Sequence, residues 1–384
     1  MVLSKRNSHK KKDEEKEPVL KNKSDSENKE KKHESWMCTR IASNLLKVVF
    51  FILVIPAFLN FAALTREEKE FRPEGVLIDV KHGQKLFKSC IGTGKPTVIL
   101  DSPIGETSDV WSLVQPAVAK FTKVCIYDRA GLGFSDRVVK GVNESKTHGK
   151  AHTVERMAED LHKLFENEEK PYILVGADLG ATAMKFYTQI FQDTVASAVF
   201  INPLFNGLFL GKDNPWTAYW FNSYLPSLQL HHISSALGLT RLGLQTKLLH
   251  QPMNYPGASE DVQRRQKYLR CKPGHMSSVV EESYFLNESL SQARMLQKIR
   301  PFPDIPVTVV WTDQYNEKMS PARTQVWLKS HEMFMKTFAP KDVQVIKMKD
   351  FLPKTLFTKY KSIARIIEKA VTKWRTKTKH TAKY

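Results

Sequence analysis

Along this chain the longest departure from a mixed polar and apolar pattern runs from Leu45 to Leu64, where apolar side chains follow one another with few interruptions. About 20 residues at about 1.5 Å rise each match the roughly 30 Å hydrocarbon core of a bilayer, so the pattern predicts a membrane-spanning helix over residues 41–65. Beyond residue 75 the pattern changes to short apolar runs alternating with helical spacings, the mark of a mostly parallel sheet flanked by helices. Residues 75–80 and 84–89 flank His82-Gly83 as a hairpin, and residues 96–101 and 123–128 read as buried strands with a helix between them. Residues 153–165 form an amphipathic helix with Val154, Met157, Leu161 and Leu164 on one stripe. Residues 172–175 enter a Gly-containing turn, and residues 194–201 supply the next strand. Residues 205–302 break the alternation; they are helical and aromatic-rich and read as an inserted cap. Strands resume at 306–311 and 343–348. A last helix places Leu356, Tyr360, Ile363, Ile367 and Ala370 at helical spacing, so it packs on the sheet.

The charge is unevenly placed. The formal net charge is +19, but lysines crowd the first 40 residues and the tail beyond Lys361. No zinc knuckle or nucleic-acid motif accompanies them, so a membrane surface is the expected partner and nucleic acid is not. Residues 1–40 are rich in Lys, Glu, Ser and Asn and are expected to be a disordered tail. With about a dozen Lys/Arg before the apolar run and a mixed segment after it, the positive-inside rule leaves the N-terminus cytoplasmic and the large domain across an endomembrane such as the endoplasmic reticulum. A cleaved signal peptide is not expected, because the run starts far from Met1 and lacks a small-residue exit. Sequons at Asn143 and Asn287 agree with lumenal exposure; a domain resting on the cytosolic face stays open as the alternative. The four cysteines do not suggest a disulfide framework, and Cys125 reads as a buried small hydrophobe. No Cys/His spacing calls for a metal, and no cofactor is implied.

The chemistry concentrates at Gly176-Ala177-Asp178-Leu179-Gly180. A strand that enters a G-x-D-x-G turn and leaves as a helix is a nucleophile elbow, in which the central residue is thrust into the site. That residue is normally serine; here it is Asp178. Upstream stand Pro96-Thr97-Val98-Ile99-Leu100-Asp101-Ser102-Pro103-Ile104-Gly105, then Trp111 and Val114-Gln115-Pro116, and then Tyr127-Asp128-Arg129-Ala130-Gly131-Leu132-Gly133-Phe134-Ser135-Asp136.

In this order the motifs resemble the α/β-hydrolase fold of the AB hydrolase-1 type with a helical cap, over roughly residues 75–372. The resemblance implies a core in two parts, 75–204 and 303–372, split by the cap at 205–302, with a basic tail at 373–384. Relatives usually read G-H-S-x-G at the elbow, so Ala177 and Asp178 replace histidine and serine. Epoxide hydrolases and haloalkane dehalogenases of this fold carry an Asp nucleophile there, whose ester a histidine-activated water cleaves. The histidine's place, in a G-H-F-x-P pattern, falls on Asp350 within Lys349-Asp350-Phe351-Leu352-Pro353, and only His380 lies downstream. The third member follows the strand at 306–311, where Thr312 takes the glycine's place and Tyr315 the acid's, with Asp313 as a shifted acid. Pro103 stands where relatives carry glycine and offers no N–H to an oxyanion, leaving the amides of Ile104 and Leu179 as donors.

From these residues the expectation is a membrane-anchored α/β-hydrolase-like protein with a degraded catalytic apparatus. It would act as a binding or scaffolding module, with a lipid or hydrophobic small molecule under the cap. The rival reading is a hydrolase with Asp178 as nucleophile; a rearranged esterase ranks below it for want of an elbow serine. Asp178 alternatively caps the helix that starts at Leu179, using its free amides and dipole. Asp178 and Asp350 facing one cavity would share a proton. His152 and His162 are expected at the surface or its boundary, Asp128-Arg129 as a structural turn, and the aromatic group from Phe205 to Tyr224 as cap core or a bilayer contact.

Overall fold

The computed structural model describes residues 17–71, 73–81, 83–138, 152–338, 343–350 and 352–381. The chain divides into two compact units, 1–56 and 57–384. Helix α1 spans Glu17–Glu70 and carries Pro56. Its segment Lys32–Glu70 is long and apolar enough to cross a bilayer, with a best-window mean hydropathy of 2.4 and 6% of that window buried. The helix begins at Glu17 rather than after the expected tail to residue 40. The physical reason is that Lys and Glu, which dominate that stretch, are good helix formers even where they cannot build a core.

In chain order the remaining elements are β1 (Val76–Lys81), β2 (Gln84–Ile91), β3 (Thr97–Asp101), α2 (Val114–Ala119), β4 (Val124–Tyr127), α3 (Val154–Leu164), β5 (Tyr172–Ala177), α4 (Leu179–Ile190) and β6 (Val195–Ile201). Then come α5 (Pro215–Tyr219), α6 (Leu225–Ala236), α7 (Leu239–Gln245), α8 (Glu260–Cys271), α9 (Pro273–Tyr284) and α10 (Leu286–Ile299). The chain ends with β7 (Val307–Thr312), α11 (Pro321–Met335), β8 (Val343–Met348), α12 (Lys354–Thr358) and α13 (Tyr360–Thr381). Among the described residues, eight strands form one sheet in the order β1-β2-β4-β3-β5-β6-β7-β8. β1 and β2 are antiparallel to their neighbours and the rest run parallel. This is the α/β-hydrolase fold, with the helices from α5 to α10 inserted between β6 and β7.

Because successive strand residues point to opposite faces, the sheet separates two cores. Ile99, Cys125, Leu174, Phe200 and Val309 pack under α3 and α4. Val98, Leu100, Val175, Val199 and Val310 pack under α2 and α13 through Val114, Ile363, Ile367 and Val371. Helix α13 runs on through Thr381, where the sequence suggested a basic tail. Arg375 fixes it by donating to the carbonyls of Lys95 at 2.8 Å and Phe121 at 2.9 Å.

Two further expectations are corrected. Cys125 is not a lone buried hydrophobe: its register opposite Cys90 on the antiparallel β2–β4 pair allows a disulfide between them. His152 is buried, neither at the surface nor at its boundary, with Nε2 2.6 Å from Glu281 Oε2. The cap aromatics are core: Phe205, Trp216 and Trp220 are buried together, with Phe209, Tyr219, Phe221 and Tyr224 packed against them. His82 and the Asn143 sequon lie outside the described residues. Asn287 is exposed in the first turn of α10, while its sequon partner Ser289 is buried and accepts from the Val154 amide at 3.3 Å.

Candidate active site

Strand β5 delivers the chain to the elbow and α4 takes it away, so Asp178 must turn it in one residue, at φ 58° and ψ −117°. Such a conformation is costly for a residue with a side chain and persists where the surroundings over-determine it. The flanking glycines supply the room. A Cβ on Gly176 would lie 2.4 Å from the Gly180 carbonyl oxygen, and one on Gly180 would lie 2.6 Å from that of Ser102. The Asp178 amide donates to Ile201 O at 2.8 Å, pinning the turn to β6.

Asp178 is 3% exposed. Its Oδ2 accepts from the Ile104 amide at 3.2 Å, while Oδ1 is buried without a hydrogen-bond partner. Burial raises its pKa to about 7, against the pull of the Ile104 and Leu179 amides and the Arg129 charge, and with a further push from Glu282. No side-chain bond caps α4 in the usual sense. The hydrogen bond comes instead from the loop after β3, on the opposite side of the site.

That loop has its amides committed. Pro103 has no N–H, Ile104 N is held by Asp178, Gly105 N donates to Glu282 Oε2 at 2.8 Å, and Glu106 N donates to Pro103 O at 3.1 Å. Arg129 organises the far side. Its Nη1 donates to Asp101 Oδ1 at 2.6 Å and Ser102 O at 2.7 Å, its Nη2 to Pro103 O at 2.8 Å, and its Nε to Glu282 Oε1 at 2.7 Å. Glu282 belongs to α9, so this buried network ties the cap to the loop that would receive an oxyanion. Asp128 beside it accepts from the amides of Ser108 and Phe134, which suits a structural turn.

The other sequence-derived candidates have partners of their own. Asp350, at φ 84°, is held by Lys354 at 3.1 Å and by the Thr358 hydroxyl at 3.4 Å. Both partners lie on α12. Asp313 is exposed. Thr312 beside it donates its amide to Asn202 Oδ1 at 2.6 Å and its hydroxyl to Gln314 O at 2.8 Å. Tyr315, at the acid's place, packs against Trp216 and Trp327, with ring centroids 5.0 and 5.3 Å away. Burial raises the pKa of the Tyr315 and Tyr224 phenols, and the charge of Asp178 adds to both. Burial likewise raises that of Glu106.

Among the described residues, no histidine hydrogen-bonds to Asp178. His275 accepts from Gly133 N at 3.2 Å, and burial drops its pKa to about 3. His331 stacks on Trp311 with centroids 3.6 Å apart, and burial holds its pKa at about 3. His162 stacks on Phe191 at 3.9 Å. The side chain of His380 lies outside the described residues. No three His, Cys, Asp or Glu side chains among the described residues converge as metal ligands. Sequence reasoning missed Glu282 and Glu106, and placed Tyr224 only among the cap aromatics. Glu282 sits in an unremarkable Glu-Glu-Ser-Tyr run of the cap, and nothing in its local pattern points at Arg129.

The model of the "Alpha/beta hydrolase family" matches residues 98–347. The chain belongs to the α/β-hydrolase family. An AB hydrolase superfamily protein of Gibberella zeae is 32% identical over 124 residues, covering 30% of this chain and 36% of that relative. This chain thus matches only about a third of that relative's length. Among solved structures, a Vigna radiata epoxide hydrolase mutant superposes with TM-score 0.58 at 14% identity, covering 78% of this chain and 98% of the other. A Bacillus anthracis bromoperoxidase gives 0.53 at 17% identity, over 78% and 100%. A membrane phospholipase A gives 0.52 at 15% identity, over 89% and 99%. At such identities these likenesses carry the fold alone, and the family's chemistry has to be argued from this site.

Proposed function

We propose that this α/β-hydrolase-family protein is anchored by α1, with its N-terminus cytoplasmic and its large unit on the lumenal side of an endomembrane, and that it binds rather than turns over a hydrophobic ligand beneath its cap. The observation that carries the reading is the state of the elbow. Its carboxylate occupies the Ile104 amide, has a pKa near neutrality, and is joined to no imidazole among the described residues. Once Asp178 has been esterified it can no longer serve as a base, and no imidazole bonded to it is there to turn water on the ester. Glu282 is neutralised by Arg129, and burial raises the pKa of both Asp178 and Glu106, so the site offers no free cation to an anionic ligand and suits a neutral lipid or small hydrophobe. The Cys90–Cys125 disulfide supports an oxidising compartment, since such bonds are rare where thiols are kept reduced.

A second reading has Asp178 as a nucleophile. It is favoured by the elbow geometry and by the two phenols, Tyr224 and Tyr315, within the field of that carboxylate. In that reaction an Asp178 oxygen bonds an electrophilic carbon of an epoxide, the carbon–oxygen bond breaks, and a phenol protonates the released alkoxide. The resulting ester would persist. Intact-mass measurement of the full chain after incubation with a styrene-oxide-type probe separates the readings. The binding reading expects no adduct at Asp178, and lipid extracted from the purified protein at near one equivalent per chain. A one-equivalent adduct abolished by Asp178→Asn would favour the nucleophile reading.

A further inference from the structure

The last turns of α1 belong to the folded unit and pack on the cap. Ala57, Asn60, Ala63, Leu64 and Glu67 recur at helical spacing on the inward side, while Phe58, Leu59 and Phe61 face outward. Asn60 is 2% exposed and fully used. Its Nδ2 donates to Ser235 O in α6 and to Cys271 O in α8, both at 3.0 Å, and its Oδ1 accepts from Arg241 Nε of α7 at 2.8 Å. Arg241 then grips both carboxylate oxygens of Glu67, at 2.8 and 2.7 Å. An Asn inside an apolar helix is expensive unless its amide is satisfied; here three cap helices satisfy it. The apolar run ends at Leu64, so the clamp at Asn60 lies about 6 Å inside that end at 1.5 Å per residue.

The cap segment that carries α6 and α7 is unlike the rest of the chain. No Asp or Glu occurs between Asp213 and Glu260, whereas Arg241, Lys247 and His231, His232 and His250 do. Leu230 (67% exposed) and Ile233 stand one turn apart on α6, with Leu242 on α7 and Leu248 (83% exposed) just beyond it. Scattered exposed leucines need no explanation. These differ in sharing an acid-free segment whose helices are bolted to the apolar run itself.

We infer that α6, α7 and the loop through Leu248 form a second membrane contact. Leu230, Ile233, Leu242 and Leu248 dip into the headgroup–acyl boundary of the bilayer that α1 crosses, with Lys247 among the phosphates. The inference rests on the reading of α1 as a membrane span. An amphipathic surface held at that depth gains from apolar burial.

The test uses the full chain with Cys38→Ser, reconstituted in vesicles of phosphatidylcholine and phosphatidylserine. An environment-sensitive fluorophore is placed at Leu230→Cys, Leu248→Cys, Phe51→Cys or, as a control on α10, Met295→Cys. Doxyl-labelled lipid is expected to quench the probes at 51, 230 and 248 at least about two-fold more than the probe at 295, with 230 and 248 answering best to shallow doxyl positions. Quenching at 51 with cap probes that behave like 295 would overturn the second contact and leave the span standing. An unquenched probe at 51 would overturn both.

Discussion

With both oxygens of Asp178 withdrawn from solvent and only one hydrogen-bonded, its protonation is linked to stability. A pKa of about 7, against 3.8 for an ordinary Asp, means that the folded state holds the proton more tightly than the unfolded chain does. The contribution to stability is therefore full below about pH 4, falls as pH rises, and is lost above about pH 7. Asp178→Asn keeps the shape without the titration. At pH 8 it is expected to stabilise the protein by about 1–3 kcal/mol relative to the parent, with little change at pH 4, as read by chemical denaturation at the two values. Equal effects at both would show the carboxylate to be ordinary. Glu282 makes the opposite case. Glu282→Ala leaves the Arg129 Nε and the Gly105 amide without an acceptor in the interior, while Asp101 stays paired with Arg129, and should cost about 1–3 kcal/mol, seen as a lowered denaturation midpoint. At this scale the sequence revealed Asp178 and the loss of a donor at Pro103, because both depend on local motifs. It did not reveal Glu282, whose link to Arg129 spans 153 residues and exists only once the cap has folded back.

Strands, helices and their junctions were mostly legible for the same reason. Thr-Val-Ile-Leu-Asp, Val-Cys-Ile-Tyr and Tyr-Ile-Leu-Val are continuous apolar runs, as strands buried on both faces must be, and the glycines of the elbow mark the sharpest turn. Pairing was less legible. That β2 lies beside β4, bringing Cys90 opposite Cys125, follows from sheet order and not from either cysteine's neighbours. The disulfide closes a separation of 35 residues and is expected to contribute about 2–4 kcal/mol. Peptide mapping of the full chain from membranes, prepared without reductant and with thiols blocked, should recover Cys90 and Cys125 as one linked species. The joint Cys90→Ser, Cys125→Ser variant should unfold at lower denaturant. Recovery of both as free blocked thiols would contradict the bond and remove one support for a lumenal unit.

For the whole molecule, the α/β-hydrolase fold stands on its strand order and family match, while orientation and turnover are matters for experiment. In intact microsomes, Cys38, which is exposed, should react with a membrane-impermeant maleimide after hydroxylamine treatment, without detergent. Labelling only after detergent would place the N-terminus in the lumen. The claim on which the rest depends is that an elbow carboxylate without a partnering imidazole does not drive repeated hydrolysis. The most direct measurement is product formed per chain over many hours, with the full-length protein and the Asp178→Ala variant offered short-chain esters and epoxides across pH 5–9. Less than one product per chain, with no difference between the two proteins, is the expected result. Multiple turnovers by the parent that vanish in Asp178→Ala would contradict the account.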